Sequence, residues 1–147
     1  MESLQKILEN CPFQYEMISH SKPIYSAQEG ASFFGIQIGQ TAPALILKTE
    51  MGLLLMIASG DRGRIEFPKV AQMLDCRSIE LAKKDEVKEA TGFSVGSIPL
   101  IGIELPCIMD KRLFQYQFVY GGSGEPRYTL KIEPRAIAHF NKVVTYL

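Results

Sequence analysis

The sequence predicts an α+β fold: a mixed, mostly antiparallel central sheet or open barrel, flanked by helices. Three observations point there. Two apolar runs, 42–49 and 53–59, are joined through Glu50-Met51-Gly52, and a second strand pair, 115–120 and 127–132, is joined through a Gly/Ser/Pro turn. Such short connections require antiparallel pairing, which disfavours a doubly wound parallel sheet. Short amphipathic helical patterns are scattered between the strands rather than alternating with them. The chain has 147 residues, 46% hydrophobic and 22% charged, and shows no repeat, linker or low-complexity tract, so one domain over 1–147 is expected.

Taken in order, Leu4, Ile7 and Leu8 follow Ser3 at helical spacing and must stop before Pro12. Phe13, Tyr15 and Met17 alternate as a strand. Ser26-Ala27-Gln28-Glu29 has the form of a capping box, opening a helix that turns Ala27, Ala31 and Phe34 inward and stops near Gly35. The runs 42–49 and 53–59 are continuously apolar, so both are expected to be central strands covered on each face. Phe67-Pro68 opens a helix with Val70, Met73 and Leu74 inward. A short strand over 78–81 precedes a helix over 83–91, and Gly92 provides a left-handed stop. The Gly/Pro-rich segment 93–102 has no periodicity. Strands are expected at 107–109, 115–120 and 127–132, and Glu133-Pro134 begins a last helix with Ile137 and Phe140 inward.

Sixteen basic and sixteen acidic side chains give no net charge. This excludes a polycation that coats nucleic acid but not a ligand touched at one spot. Residues 110–147 hold six bases and three acids, so a phosphate-facing surface should draw on that third of the chain. Cys11, Cys76 and Cys107 are odd in number and lack metal-ligand spacing, which fits free thiols in a reducing compartment and no metal. The N-terminus carries early acids and no long apolar core, unlike a secretory signal. The longest apolar run falls far short of the ~20 residues that span a bilayer. A cytoplasmic protein without membrane association is expected.

Three common catalytic motifs are missing: the P-loop, GxGxxG after a strand and HExxH. His139 falls on the last helix as an exposed or capping residue. His20 ends a strand, where closing a local hydrogen bond is the simplest role. Lys48 ends an apolar strand on the face of Ala44 and Ile46. It must snorkel to the edge, find a partner or be held for a ligand, because an unpaired ammonium is costly to bury. Residues 91–102 place three glycines and a proline in one shaped loop, whose backbone could approach a ligand closely or simply form a crossover.

The series that stands out begins with His20 before a capped helix and continues with a strand ending Lys48-Thr49, the Gly52 hairpin and Ala58-Ser59-Gly60-Asp61. It ends with TGFxxG at Thr91–Gly96, Met109-Asp110 and a Gly121-Gly122 turn. Across nearly the whole chain this series resembles the YbaK / prolyl-tRNA-editing-type (ProX-like) aminoacyl-tRNA deacylases. The resemblance implies a YbaK-like fold and hydrolysis, in trans, of the ester joining a wrong amino acid to the 3′ end of a tRNA. It implies no metal, no cofactor and no side-chain nucleophile, the attacking group being water or a hydroxyl of the substrate. Lys48 would be the catalytic residue, holding the terminal nucleotide. Gly96, Ser97, Ile98 and Leu100 would present amides around the amino acid and its ester, and His20, Tyr120, Gly121 and Gly122 would complete substrate binding.

Two departures accompany the resemblance. The loop proline, Pro99, stands one position earlier than in the family's Gly-x-x-x-Pro pattern, which removes the amide at 99 and restores one at 100. Tyr120 replaces the Ser that precedes the GG turn in Cys-selective members, and the following stretch offers Glu125 rather than an aligned Asp, so the Cys-selective assignment is not carried over. The expected partners are a mischarged aminoacyl-tRNA, touched at its acceptor end, and a synthetase as a second candidate, with no DNA. An alternative reading is a catalytically degenerate module that binds a tRNA acceptor end or a synthetase. A third is a small-ligand pocket without RNA. Recognition of a single-stranded end needs no broad basic face, so weak tRNA affinity with modest salt dependence is expected.

Overall fold

Pro43 organises the architecture. The run 42–49, expected as one strand, is two: β2 (Thr41–Ala42) belongs to one sheet and β3 (Ala44–Thr49) to another. Proline offers no amide to a ladder, so the chain changes sheet there. The computed structural model describes residues 2–147, with side chains from Leu4 onward. Its helices are α1 (Glu2–Glu9), α2 (Ala27–Phe34), α3 (Phe67–Leu74), α4 (Lys84–Thr91) and α5 (Pro134–Phe140). The other strands are β1 (Tyr15–Ser19), β4 (Gly52–Ile57), β5 (Ile79–Leu81), β6 (Pro106–Met109), β7 (Val119–Gly122), β8 (Tyr128–Ile132) and β9 (Lys142–Tyr146).

One sheet has the order β1-β8-β7-β2 and the other β5-β3-β4-β6-β9. Both expected hairpins form, β3 with β4 and β7 with β8, each antiparallel. The pairs β2–β7, β4–β6 and β6–β9 are parallel, so the fold is mixed α+β. The main core lies between the sheets, where Ala42, Val119, Leu130 and Ile132 of the first face Ile46, Leu55, Ile57, Cys107 and Met109 of the second. The second sheet's other face buries Leu47, Leu54, Met56 and Ile108 under Val70 of α3. Burial on both faces is why β4 reads as a continuous apolar run.

Several local expectations are met by stated bonds. The Ser26 hydroxyl accepts the Glu29 amide at 3.1 Å, and Gly35 ends α2 in the left-handed region. Gly92 does the same for α4. Other expectations are corrected. Met73 is largely exposed rather than in the core, because α3 needs only a narrow stripe against its sheet. Within α2 the fully buried position is Gly30, while Ala27, Ala31 and Phe34 are half-buried. The expected strand 115–120 begins only at Val119, because Asp110 caps a 3-10 turn, Lys111–Gln115, by accepting the Arg112 amide at 3.0 Å. The strand β9 was missing from the expected elements. It follows Asn141, which ends α5, and its half-buried and exposed side chains alternate.

Burial pushes the Cys107 thiol up to about 12, which leaves it protonated and unreactive at neutral pH. All three cysteines are free. Among the described residues, no helix is long and apolar enough to cross a membrane.

Candidate active site

A cavity of about 230 Å³ opens where the two sheets part at the β2–β3 junction. Its wall is drawn from the start of α2, residues 41–45, the loop residues Val95–Ile98, Tyr120-Gly121-Gly122 of β7, and the turn leading into β8. The lining is mostly apolar. Glu125 is its one residue charged at neutral pH, and it is in no ion pair among the described residues.

The TGFxxG segment shapes one wall. Thr91 Oγ1 donates to the Val87 carbonyl at 2.7 Å and accepts the Phe93 amide at 3.1 Å, directing Phe93 into the core. Gly96 then adopts φ +87°, which turns the chain along the cavity. Gly121 and Gly122 allow the loop to lie against β7. A Cβ on Gly121 would come within 2.7 Å of the Leu100 side chain, and one on Gly122 would collide with the Ile98 carbonyl. The Leu100 amide donates to the Gly122 carbonyl at 3.0 Å, and Asn141 Nδ2 holds the Leu100 carbonyl at 2.7 Å.

The structure therefore brings Gly96, Ser97, Ile98, Tyr120, Gly121 and Gly122 to one cavity. The loop amides are fewer than the sequence suggests. Ser97 N is committed to the Ser94 carbonyl at 3.0 Å, Leu100 N to Gly122, and Pro99 has none. Among the described residues, Gly96 and Ile98 are left with amides that meet no acceptor in the fold. Leu100 is wholly buried behind the wall. His20 also stands behind it: Nδ1 donates to the Lys22 carbonyl at 2.6 Å, Nε2 is hydrogen-bonded to Thr129 Oγ1 at 3.0 Å, and Thr129 lines the cavity.

Lys48 is not among the lining residues. It shares a strand face with the lining residue Ala44, four residues or about 13 Å away along β3. Its ammonium lies 2.7 Å from Glu86 Oε2 of α4, and its side chain is 46% exposed. The bond and charge of Glu86, aided by Glu80 and Asp85, raise the Lys48 pKa, and Lys48 in turn holds Glu86 below the usual carboxylate range. The pair joins β3 to the helix that launches the 93–102 loop.

Sequence reasoning counted Asp110 in the series that carries the resemblance and missed its role. Asp110 is fully buried. Its Oδ2 accepts the Ser59 amide at 3.0 Å, and the Arg62 guanidinium grips both carboxylate oxygens. Burial alone would raise its pKa, but Arg62 and the Ser59 and Arg112 amides outweigh that and hold it below the usual range. From Ser59 the network passes to the Gly39 carbonyl, 2.8 Å from Ser59 Oγ. Gly60 N donates to the Thr41 carbonyl at 2.9 Å, and Thr41 lines the cavity. Phe34, expected only as an inward helix residue, lines it too, as do Tyr25 and Tyr128; no local pattern marks those two tyrosines, since the fold alone brings them there.

Comparison with known proteins places the chain in a family. The family model described as "Aminoacyl-tRNA editing domain" matches residues 21–140. The chain belongs to that family. This editing domain is 26% identical over 105 residues to a proline–tRNA ligase of Thermosipho melanesiensis, covering 70% of the chain and 18% of the ligase. It is 27% identical over 85 residues to the Bacillus licheniformis proline–tRNA ligase, covering 58% and 15%. The editing domain thus spans less than a fifth of the length of these two curated relatives. Among solved structures, one described as a candidate trans-editing enzyme for prolyl-tRNA synthetase superimposes with TM-score 0.81 at 26% identity, covering 98% of this chain and 92% of that one. A hypothetical protein superimposes with TM-score 0.87 at 22% identity over 98% and 97%, which shows the shared fold.

Proposed function

We propose that this editing domain hydrolyses the ester between a wrongly attached amino acid and the 3′-terminal ribose of tRNA, acting in trans. The observation that carries the reading is the juxtaposition of the Gly96–Ile98 loop and the Gly121-Gly122 strand around one small cavity. At about 230 Å³ it is smaller than the ~300–1,000 Å³ of typical drug-sized sites, and suits one aminoacyl group rather than a whole nucleotide. A carboxylate at Glu125 and no cationic side chain in the wall suit the α-ammonium of an aminoacyl ester and disfavour an anionic ligand.

In the reaction, the oxygen of a water bonds to the ester carbonyl carbon. The bond from that carbon to the ribose oxygen breaks, and the ribose oxygen takes a proton. The products are free amino acid and uncharged tRNA. No nucleophile from the protein is required, because an aminoacyl ester is already labile and holding it beside water lowers the barrier. The uncommitted Gly96 and Ile98 amides are the backbone donors for the charge developing on the carbonyl oxygen. Lys48 serves the terminal nucleotide outside the cavity, exchanging Glu86 for the substrate. The substrate is thereby read at the acceptor end, by a chain working in the cytoplasm alongside translation.

An adenosine carrying an amide-linked amino acid at its 3′ position, which cannot be hydrolysed, tests the location. Titrated into the isotopically labelled protein, it is expected to shift the amide resonances of Gly96, Ile98, Gly121 and Gly122. Shifts confined to other surfaces would contradict it. The pairing of Lys48 with Glu86 and the internal commitment of two loop amides favour a second reading, in which the domain binds an acceptor end or synthetase without turnover. Analogue binding with no hydrolysis of any aminoacyl-tRNA would select that reading.

A further inference from the structure

Among the side chains of the cavity wall, one buried hydroxyl is left unanswered by the fold. Ser97 is 4% exposed, and its buried hydroxyl meets no hydrogen-bond partner among the described residues. The other aliphatic hydroxyls of the wall are occupied. Ser26 Oγ caps α2, Thr41 Oγ1 donates to the Ile38 carbonyl at 2.6 Å, and Thr129 Oγ1 bonds His20. Asn141 Oδ1 is also without a donor, but that amide is fixed by two bonds from Nδ2 and lies outside the lining.

A buried hydroxyl without a partner destabilises the free protein, since it has left water and gained nothing. Alanine would fill nearly the same space at no such cost. The Ser97 amide is already spent on Ser94, so the hydroxyl is the residue's one uncommitted donor. It lies between the two loop residues whose amides are also free, Gly96 and Ile98.

We propose that the Ser97 hydroxyl is a catalytic donor: it hydrogen-bonds the carbonyl oxygen of the bound ester and strengthens that bond as the oxygen becomes an oxyanion. The proposal rests on the deacylase reading above. In the step, water oxygen bonds to the acyl carbon and the carbonyl π pair moves onto the oxygen facing Ser97. When that pair returns, the bond to the ribose oxygen breaks, and the ribose oxygen leaves with the proton that the attacking water gives up. Ser97 neither gains nor loses its proton. The hydroxyl stabilises charge that exists only in the transition state, so its loss should lower kcat rather than raise KM.

Ser97→Ala separates this role from a structural one, because the two move stability in opposite directions. Steady-state deacylation of the preferred mischarged tRNA and thermal unfolding are measured on the variant and the wild type in parallel. The expected result is a kcat lowered about 100- to 1,000-fold, the range for removing an oxyanion donor, with KM within about twofold and a Tm equal to or above wild type. Ser97→Cys, with its weak donor, should recover little of the rate. A variant as active as wild type, a rise in KM alone, or a lowered Tm would each overturn the assignment while leaving the deacylase reading in place. A wild-type protein that deacylates nothing would overturn both.

Discussion

Lys48→Ala is expected to lower deacylation at least about 100-fold, the scale of loss when a substrate is misplaced by an ångström or so, while the folded state persists. The side chain is nearly half exposed and stands outside both apolar clusters, so its removal leaves no cavity in the core. Glu86→Gln distinguishes two causes. If Lys48 must reach the terminal nucleotide, releasing it from Glu86 should keep or raise the rate, since the carboxylate competes with the substrate for the ammonium. If Lys48 acts by tying β3 to α4 and so setting the loop, Glu86→Gln should lose as much as Lys48→Ala. Kinetics of both variants, with circular dichroism to verify folding, read the difference. Unchanged turnover in Lys48→Ala would remove the lysine from the site.

Asp110→Ala is expected to be the most destabilising single change at a polar residue. It removes the acceptor for Ser59 N, Arg112 N and the Arg62 guanidinium together, and Arg62, with a quarter of its side chain exposed, is only partly able to regain water. Breaking a buried pair from one side costs about 3–5 kcal/mol. Arg62's partial exposure favours the lower end, which corresponds to a Tm drop of roughly 6–12 °C for a chain of this size. The pH dependence has a definite sign. The folded-state pKa of Asp110 is held down, so its stabilisation is present at neutral pH and is lost as pH falls below about 4, the unfolded carboxylate range. The stability gap between wild type and Asp110→Asn should therefore be widest near neutrality and shrink in acid. A gap independent of pH would show that Asp110 is not ionised in the fold. Because the network reaches Thr41 through Ser59 and Gly60, activity should fall along with stability.

Features carried by neighbouring residues were legible in the sequence. The β3–β4 hairpin announces itself through two apolar runs and a glycine, and Ser26, Gly35 and Gly92 mark helix ends by their own backbone chemistry. The TGFxxG and GG segments were legible too, because a tight loop against a strand demands glycine at particular positions. Pairings across long separations were not. Nothing local tells Lys48 that Glu86 will stand 2.7 Å away, or tells Asp110 that it will be wrapped by Arg62 and Ser59. Pro43 could have been read as a break between strands, but the apolar run around it masks the change of sheet. The alternation in β9 was available as well, and was hidden by its brevity and its place directly after a helix. Zero net charge remains compatible with the site, since the cavity proposed to take the aminoacyl group is lined by Glu125 and by no lysine or arginine.

The most direct test is multiple-turnover deacylation of a panel of mischarged tRNAs, each labelled in the amino acid, with the protein at catalytic concentration. Release of the amino acid from at least one mischarged tRNA, well above spontaneous ester hydrolysis and with the correctly charged tRNA spared, is the expected result. A folded protein that accelerates hydrolysis of no member of the panel would contradict the account.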